Sequence, residues 1–180
     1  QLFVSTSSDV FPFLREYERW TTATMNAFTG PLFDQYLGRL EEGLRKTGLK
    51  GDLFIIDTGS VFDSYFCDFD RNYAFGSIGD EAKKAYRVAY EATEAGFNAA
   101  QVGNTTSDIF NAMNSVLQKG GALGNTVGRL GHGLGMQLTE WPSNTANDNT
   151  PLEPGVVLTL EPGLTFLPGK EMVHEENIVI

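Results

Sequence analysis

The sequence predicts an α+β domain in which helices cover one face of a curved, mostly antiparallel sheet. Strand-like apolar runs come first, two stretches with helical spacing follow, and further strand-like runs complete the chain. That order is typical of α+β folds, because parallel sheets require strands and helices to alternate. At 180 residues the chain has the length of one ordinary domain, so we expect a single domain over residues 1–180.

The first fifty residues carry the weakest pattern. Residues 33–44 have the spacing of one helix, and Lys46 followed by Thr47 and Gly48 predicts its end. Residues 53–56 then form a continuous apolar run, as in a buried strand. The aromatic and apolar runs 61–67 and 69–75 predict antiparallel strands after it.

Two helices follow the predicted strands. Asp80 can cap a helix that continues to about residue 100, because alanine and valine recur in it at helical spacing. Thr105, with Asp108 three residues later, resembles a capping box and opens a helix to about residue 118. Gly120 and Gly121 predict its end.

The last third of the chain alternates glycine-rich and short β-like segments. A loop rich in Asn, Thr and Pro fills residues 142–155. The predicted strands are residues 131–138, 156–160, 172–174 and 178–180.

Composition and charge exclude several classes of function. The net charge of −10 argues against a nucleic-acid-binding surface. The sequence contains no run of about 18 apolar residues, so we expect no membrane-spanning helix. The first residues also lack the pattern of a secretory signal. The single cysteine, Cys67, favours a reducing compartment, so we expect a cytoplasmic protein. The chain lacks an initiator methionine and ends within a strand-like run, so we expect a piece of a longer protein.

Acidic residues and one histidine mark the edges of the strand-like runs. Asp57 and Glu161 each end an apolar run, and Glu175 precedes another. Asp68 follows Asp57 by 11 residues, a spacing that can return the chain across a hairpin. His132 lies between glycines, which permit close backbone approach beside the ring.

Buried carboxylates need partners, and cationic side chains are scarce near these positions. Four carboxylates and one imidazole can instead hold two divalent ions, and such ligands suit Mn, Co, Fe or Zn better than soft, thiolate-selective metals. For any one of these acids, a surface or capping role stays open.

Five stretches carry a family resemblance, in family order. They are residues 51–59, 65–71, 131–135, 158–163 and 174–180, and the five polar residues lie 11, 64, 29 and 14 residues apart. They resemble the M24 metallopeptidases of the "pita-bread" fold, which include methionine aminopeptidases, Xaa-Pro aminopeptidases, prolidases and the metal-free creatinases. The short last interval looks prolidase-like. The resemblance covers about residues 50–180 and implies a catalytic domain with that fold.

The resemblance implies a role for each residue of the set. Two divalent ions (Mn, Co, Zn or Fe) would be held by five ligands, Asp57, Asp68, His132, Glu161 and Glu175. Asp68 and Glu175 would bridge them, with Glu175 preferred to Glu176. His132 and Glu161 would be catalytic, Glu161 as proton acceptor for a water that attacks an amide carbonyl.

One departure concerns histidines that contact the substrate in these peptidases. Thr139 stands before Glu140 where the family has a histidine, and no histidine precedes His132. A hydroxyl cannot replace an imidazole as a proton donor near neutral pH. Two interpretations remain: a peptidase that uses other donors, or other chemistry at the same centre, as in creatinase-like C–N hydrolases and sulfonium lyases. A non-catalytic binding module is a third class, which the retained ligand set disfavours.

Several further residues are candidates for contacting the substrate or orienting the ligands. Arg71 matches the family's arginine and is expected to orient carboxylates through an ion pair. His174 precedes a ligand on a strand, so it should point away from the metals. Thr139, Glu140 and Tyr65 complete this set. The resemblance also implies a small peptide or amide-like substrate and a homodimer, and we expect neither a nucleic acid nor a membrane as partner.

Overall fold

In the computed structural model the described residues are 4–6, 8, 16–46, 53–74, 77–125 and 127–180. The chain divides into two compact units, residues 1–50 and 51–180. Helix α1 of the first unit spans Glu16–Lys46. The predicted start at residue 33 is therefore wrong, because apolar residues are spread around α1 and form no single stripe that spacing could detect. The described helix reaches Lys46, and Thr47 and Gly48, where the sequence predicts its end, lie outside the described residues.

The second unit begins with a β-hairpin. Strand β1 spans Leu53–Phe62 and pairs in antiparallel register with β2, Tyr65–Ala74. Asp63 and Ser64 form the turn, both with positive φ, 48° and 71°, as in the tight turns that match the twist of a hairpin. The predicted strand 61–67 is therefore wrong, because this two-residue turn interrupts it. Residue 75, the predicted end of the next strand, lies outside the described residues.

Two helices follow the hairpin. Helix α2 spans Asp80–Ala99, and its N-cap is Gly79, so Asp80 is the first helical residue and not the cap that the sequence suggested. Helix α3 spans Thr106–Gly120. Its predicted capping box is confirmed: the Thr105 hydroxyl accepts from the Asp108 amide, and the Asp108 carboxylate accepts from the Thr105 amide.

Six short strands complete the unit. They are β3 His132–Gly133, β4 Glu140–Ser143, β5 Val157–Leu160, β6 Gly163–Leu167, β7 Lys170–Val173 and β8 Glu176–Val179. A four-stranded antiparallel sheet has the order β4-β3-β5-β8, and β6 pairs with β7. The predicted strand 131–138 is shorter, because the chain bends after Gly133. The predicted loop 142–155 begins within β4, and β6 was not predicted.

Helix α2 packs against α3 and against strands β5, β6 and β7. The core between them is built from small and branched apolar side chains, among them Ala89, Ala92, Ile109, Met113, Leu158, Leu160 and Met172. The α+β prediction is confirmed. No helix among the described parts of the chain is long and apolar enough to cross a membrane.

Candidate metal centre

The β-hairpin presents three aspartates on one face. Asp57 lies opposite Asp70 in the register, and Asp68 lies opposite Gly59. Side chains directly opposite each other, or two residues apart on one strand, project to the same side of a sheet. Asp68 and Asp70 are buried, at 7% and 3% exposure, whereas Asp57 is exposed. The hairpin therefore gathers carboxylates from both of its strands at one place.

Two groups of possible ligand atoms meet at Glu175. The first joins Asp68, His132 and Glu175, and the second joins Asp57, Asp70 and Glu175; within each group the ligand atoms lie within 4.8 Å of one another. In the first group the His132 Nε2 lies 3.8 Å from Asp68 Oδ2 and 4.0 Å from Glu175 Oε1. Four of the five sequence-predicted ligands are thus brought together, with Glu175 common to both groups.

The ring of His132 is held in one tautomer by its own strand. Its Nδ1 lies 2.8 Å from the main-chain carbonyl oxygen of Gly133. A carbonyl can only accept, so Nδ1 carries the proton and donates it. The lone pair of Nε2 then faces Asp68 and Glu175, which is the form of imidazole that binds a metal.

Gly131 positions His132 against β5. The main-chain amide of His132 donates to the Thr159 hydroxyl at 3.2 Å, and the buried Asn144 amide donates to the Thr159 carbonyl at 2.9 Å. Gly131 has a φ of +126°, and a Cβ there would collide with the Thr159 carbonyl oxygen and lie 2.7 Å from Asn144 Nδ2. Only glycine fits this approach.

Gly131→Ala is therefore expected to destabilise the protein by about 3 kcal/mol, from backbone strain and overpacking together. Chemical denaturation in the presence of chelator measures the loss without a contribution from metal. Gly128→Ala is the matched control, since Gly128 also has positive φ, +78°, but open space around its Cα; it should cost about 1 kcal/mol. Equal losses in the two variants would contradict the steric argument.

The carboxylates of the centre disfavour one another's ionisation. Burial raises the pKa of Glu175 to about 9, with further increases from Glu161, Asp68 and Asp70 and an opposing hydrogen bond from Thr159. Burial and the carboxylate of Asp57, which lies opposite Asp70 on β1, likewise raise the pKa of Asp70 to about 7. Without a cation, both groups therefore hold protons well above the pH at which free carboxyl groups lose them.

Glu161 lies next to these groups and belongs to neither. It follows β5, is half-buried, and its main-chain amide donates to the Leu130 carbonyl at 3.1 Å. Burial raises its pKa, with Arg129 opposing and Asp68 and Asp57 adding to the increase. Burial and Asp57 also raise the pKa of Asp68, against the effect of His132. Glu161 thus interacts electrostatically with the carboxylates of the centre, although its ligand atoms belong to neither of the two compact groups.

The donors fit the divalent cations that the family resemblance implies. Among the described residues, Glu175 Oε1 and Asp70 Oδ1 are buried and have no hydrogen-bond partner. Buried polar atoms are normally satisfied, and a buried carboxylate without a cation is costly. Oxygen atoms with one imidazole are the donor set that Mn, Co, Fe and Zn accept.

Arg71 supports the centre from outside. Its guanidinium donates to the main-chain carbonyls of Asp70 and Glu175 at 2.8 and 3.0 Å. It also forms an ion pair with Glu176 at 3.1 Å and lies over the Phe69 ring. Glu176 is thus engaged by Arg71, whereas its neighbour Glu175 points into the cluster, as the preference between the two glutamates required.

His174 lies on the helix side of the sheet, away from the ligand groups. Its Nδ1 is 2.9 Å from the Thr93 hydroxyl, which itself donates to a main-chain carbonyl one turn earlier in α2, so Nδ1 is the donor. The rings of Tyr86 and Tyr90 meet it edge to face. Burial lowers the pKa of His174, with Glu176 opposing. His174 therefore anchors the β7–β8 connection to α2.

The remaining sequence candidates lie outside both groups. Thr139 is exposed in a bend before β4. The Glu140 carboxylate accepts a 2.7 Å hydrogen bond from the main-chain N–H of Gln137 and so closes that bend. Tyr65 is 62% exposed and lines a cavity of about 410 Å³ at the hairpin turn. The described geometry thus gives Glu140 a contact within its own loop and none with the ligand atoms.

Three residues of the site were missed by sequence reasoning. Asp70 follows Asp68 by two positions, and strand alternation alone could have placed both on one face. Thr159 precedes Glu161 by two positions on a predicted strand, so the same rule applies. Asn177 accepts from the Asp68 amide at 3.0 Å and donates to the Asp68 carbonyl, which joins β2 to β8. No sequence signal points to that pairing.

Comparisons with known proteins give a consistent result. The chain is 28% identical over 163 residues to an Xaa-Pro dipeptidase of Pyrococcus furiosus, which covers 87% of this chain and 47% of that protein. It is 32% identical over 126 residues to an Xaa-Pro dipeptidase of Lactobacillus helveticus, covering 70% and 34%. The chain therefore spans half or less of the length of these curated relatives.

The fold matches as well. The prolidase from Pyrococcus furiosus superposes with a TM-score of 0.68 at 29% identity, over 72% of this chain and 39% of that one. The family model described as metallopeptidase family M24 matches residues 41–180. The match contains the hairpin, the glycine-flanked histidine and the β7–β8 connection that together build the site. The resemblance found in the sequence is confirmed, and the chain belongs to metallopeptidase family M24.

Proposed function

We propose that this chain carries the dinuclear metal centre of a hydrolase of the Xaa-Pro peptidase type. The observation that carries the proposal is the convergence of Asp68, His132 and Glu175, all buried, with ligand atoms within 4.8 Å of one another. Three segments distant in sequence supply them. The histidine is held in the tautomer that binds a metal, beside a carboxylate oxygen of Glu175 that has no hydrogen-bond partner among the described residues. This arrangement fits a bound cation better than a role in an apolar core.

The proposed ligands are Asp57, Asp68, His132, Glu161 and Glu175, for two ions of Mn, Co, Zn or Fe. When bound, such cations polarise a carbonyl and lower the pKa of water. Glu161, which is half-buried, is the proposed proton acceptor for the attacking water and would return the proton to the leaving nitrogen. His132 would bind through Nε2, which lies 3.8 Å from Asp68 Oδ2 and 4.0 Å from Glu175 Oε1.

The proposed substrate is a small peptide with an Xaa-Pro bond, in line with the names of the dipeptidase relatives. Thr139 favours a second candidate on a specific ground. It is exposed where the family resemblance implies a histidine, and its hydroxyl cannot replace an imidazole as a proton donor near neutral pH. A non-peptidase reaction at the same centre, C–N hydrolysis or lyase chemistry on a small amide or sulfonium compound, is therefore the alternative.

Metal content and activity decide between these candidates when measured on one preparation. The full chain is loaded with Mn, Co or Zn and offered Xaa-Pro dipeptides, longer Xaa-Pro peptides, non-peptide amides and sulfonium compounds. Hydrolysis of an Xaa-Pro dipeptide supports the first candidate. Stoichiometric metal with every Xaa-Pro substrate intact rejects it in favour of the second, and absence of bound metal rejects both.

Thr139→His is expected to raise turnover of Xaa-Pro dipeptides by about 10-fold or more, since general acid–base groups contribute roughly 10²–10⁴-fold when fully aligned. Steady-state kinetics of loaded protein measure it. Gln137→His, in the same exposed loop, is the control for an added imidazole. If Thr139→His matches the parent chain, the missing histidine does not limit peptidase activity.

Two further proposals concern the setting of the protein. The half-buried thiol of Cys67 is free, which suits a reducing compartment, and we place the protein in the cytoplasm. The homodimer implied by the family resemblance is retained as a proposal, and sedimentation of the full chain tests it.

A further inference from the structure

Asp70 stands outside the five ligands that the family resemblance assigns. Its side chain is 3% exposed, and its Oδ1 has no hydrogen-bond partner among the described residues. One carboxylate oxygen of Asp70 lies within 4.8 Å of one from Asp57 and one from Glu175. This group contains oxygen atoms only. The acid is therefore aimed into the centre.

The hairpin register makes this arrangement costly unless a cation lies between the acids. Asp57 and Asp70 are directly opposed across β1 and β2, and like charges at opposed positions destabilise a sheet. The cationic side chain of the next residue, Arg71, hydrogen-bonds the main-chain carbonyl of Asp70 and pairs with Glu176. Within the described residues, no hydrogen bond or ion pair neutralises the Asp70 carboxylate.

We propose that Asp70 is an additional metal ligand, so that the two cation positions differ in kind. One would be built from oxygen atoms alone, from Asp57, Asp70 and Glu175. The other would include Asp68, His132 and Glu175, and therefore an imidazole nitrogen, with Glu161 as the remaining proposed ligand. This inference rests on the proposed dinuclear centre and adds a sixth donor to it.

The two donor sets select different cations. Carboxylate oxygens alone suit hard ions such as Mn²⁺, whereas a set with imidazole also suits Zn²⁺ and Co²⁺. The oxygen-only position is therefore expected to discriminate less against Mn²⁺ than the position that contains His132, which should favour Zn²⁺ more strongly.

Asp70→Asn tests the inference, because asparagine keeps the shape of the side chain and removes its charge. The full-length chain is dialysed against Mn²⁺ alone, Zn²⁺ alone and both together, and bound metal is counted by mass spectrometry. The parent chain binds two ions, whereas Asp70→Asn should bind Mn²⁺ at the oxygen-only position at least 10-fold more weakly. Zn²⁺ affinity at the other position should change less than 3-fold.

Asp63→Asn is the matched control, since it removes the same charge from the exposed turn of the same hairpin. Electron paramagnetic resonance gives a readout independent of activity: the coupled signal of two Mn²⁺ ions in the parent chain should become that of a single ion in Asp70→Asn. Infrared difference spectra of the parent chain labelled with ¹³C at aspartate carboxylates need no variant. Three carboxylates, rather than two, should shift when Mn²⁺ is added.

The outcomes separate this inference from the proposed function. Two ions bound with parental affinity by Asp70→Asn, or two shifted carboxylates, overturn the role of Asp70 and leave the dinuclear centre standing. A parent chain that binds no divalent ion overturns both.

Discussion

Glu175→Gln is expected to abolish binding of both cations, because Glu175 is the one residue shared by the two ligand groups. Loss of a residue that merely orients a ligand weakens binding by about 10–100-fold, so loss of a shared ligand should exceed about 100-fold. Calorimetric titration with Mn²⁺ and Zn²⁺ measures it. Any hydrolytic activity should disappear with the metal.

The same variant should leave the metal-free fold intact. At neutral pH the Glu175 carboxyl is protonated without metal, since its pKa is raised to about 9, and glutamine has the same shape and charge as that form. Its melting temperature in chelator should match that of the parent chain. Glu176→Gln is the control, because Glu176 is half-exposed and pairs with Arg71. Two ions retained by Glu175→Gln would refute the shared-ligand arrangement.

The metal-free protein should lose stability as the pH rises, which is the opposite of the usual behaviour of paired carboxylates. Glu175 and Asp70 have higher pKa values in the folded protein, about 9 and about 7, than their ordinary 4.5 and 3.8. The folded state thus binds these protons more tightly than the unfolded state does. The stability gained from this tighter binding is lost as the pH rises from the ordinary pKa to the raised pKa of each group. Since each pKa unit corresponds to about 1.4 kcal/mol, the free energy of unfolding should fall by at least about 2 kcal/mol between about pH 5 and 8.

Bound cations should reverse this dependence, because ligands must be deprotonated and binding strengthens as the pH rises. Urea unfolding at several pH values, in chelator and in excess Mn²⁺, measures both curves. Glu175→Gln should make the curve in chelator less steep and leave the part due to Asp70, whereas Glu176→Gln should leave the curve unchanged. A stability in chelator that is constant or increases from about pH 5 to 8 would show that the cluster is not buried as described.

The sequence was most informative where a short pattern settles the local structure. The capping box of Thr105 and Asp108 predicted the start of α3, because both side chains bond to backbone amides three residues away. The apolar run before Asp57 predicted β1. Asp68 was placed across a hairpin by spacing alone, and the structure brings it and Asp57 to the same face.

The sequence was least informative where distant segments meet. Asn177 bonds to the backbone of Asp68 across 109 positions, and Thr93 positions His174 across 81. Neither pairing follows from periodicity, because periodicity reports only which face a residue occupies. The turn at Asp63 and Ser64 was missed for a different reason: aromatic residues on both sides concealed a two-residue turn.

The pairing of β1 with β2 also limits how this chain can vary in length. Residues added between Phe62 and Tyr65 would lengthen the turn at the tip of the hairpin and would leave Asp57 opposite Asp70. One residue inserted between Asp57 and Phe62 would move Asp57 to the opposite side of the ribbon, because successive strand residues face opposite ways. Related proteins should therefore differ freely in the size of this tip, and should keep the count of residues on either side of it or compensate with a bulge.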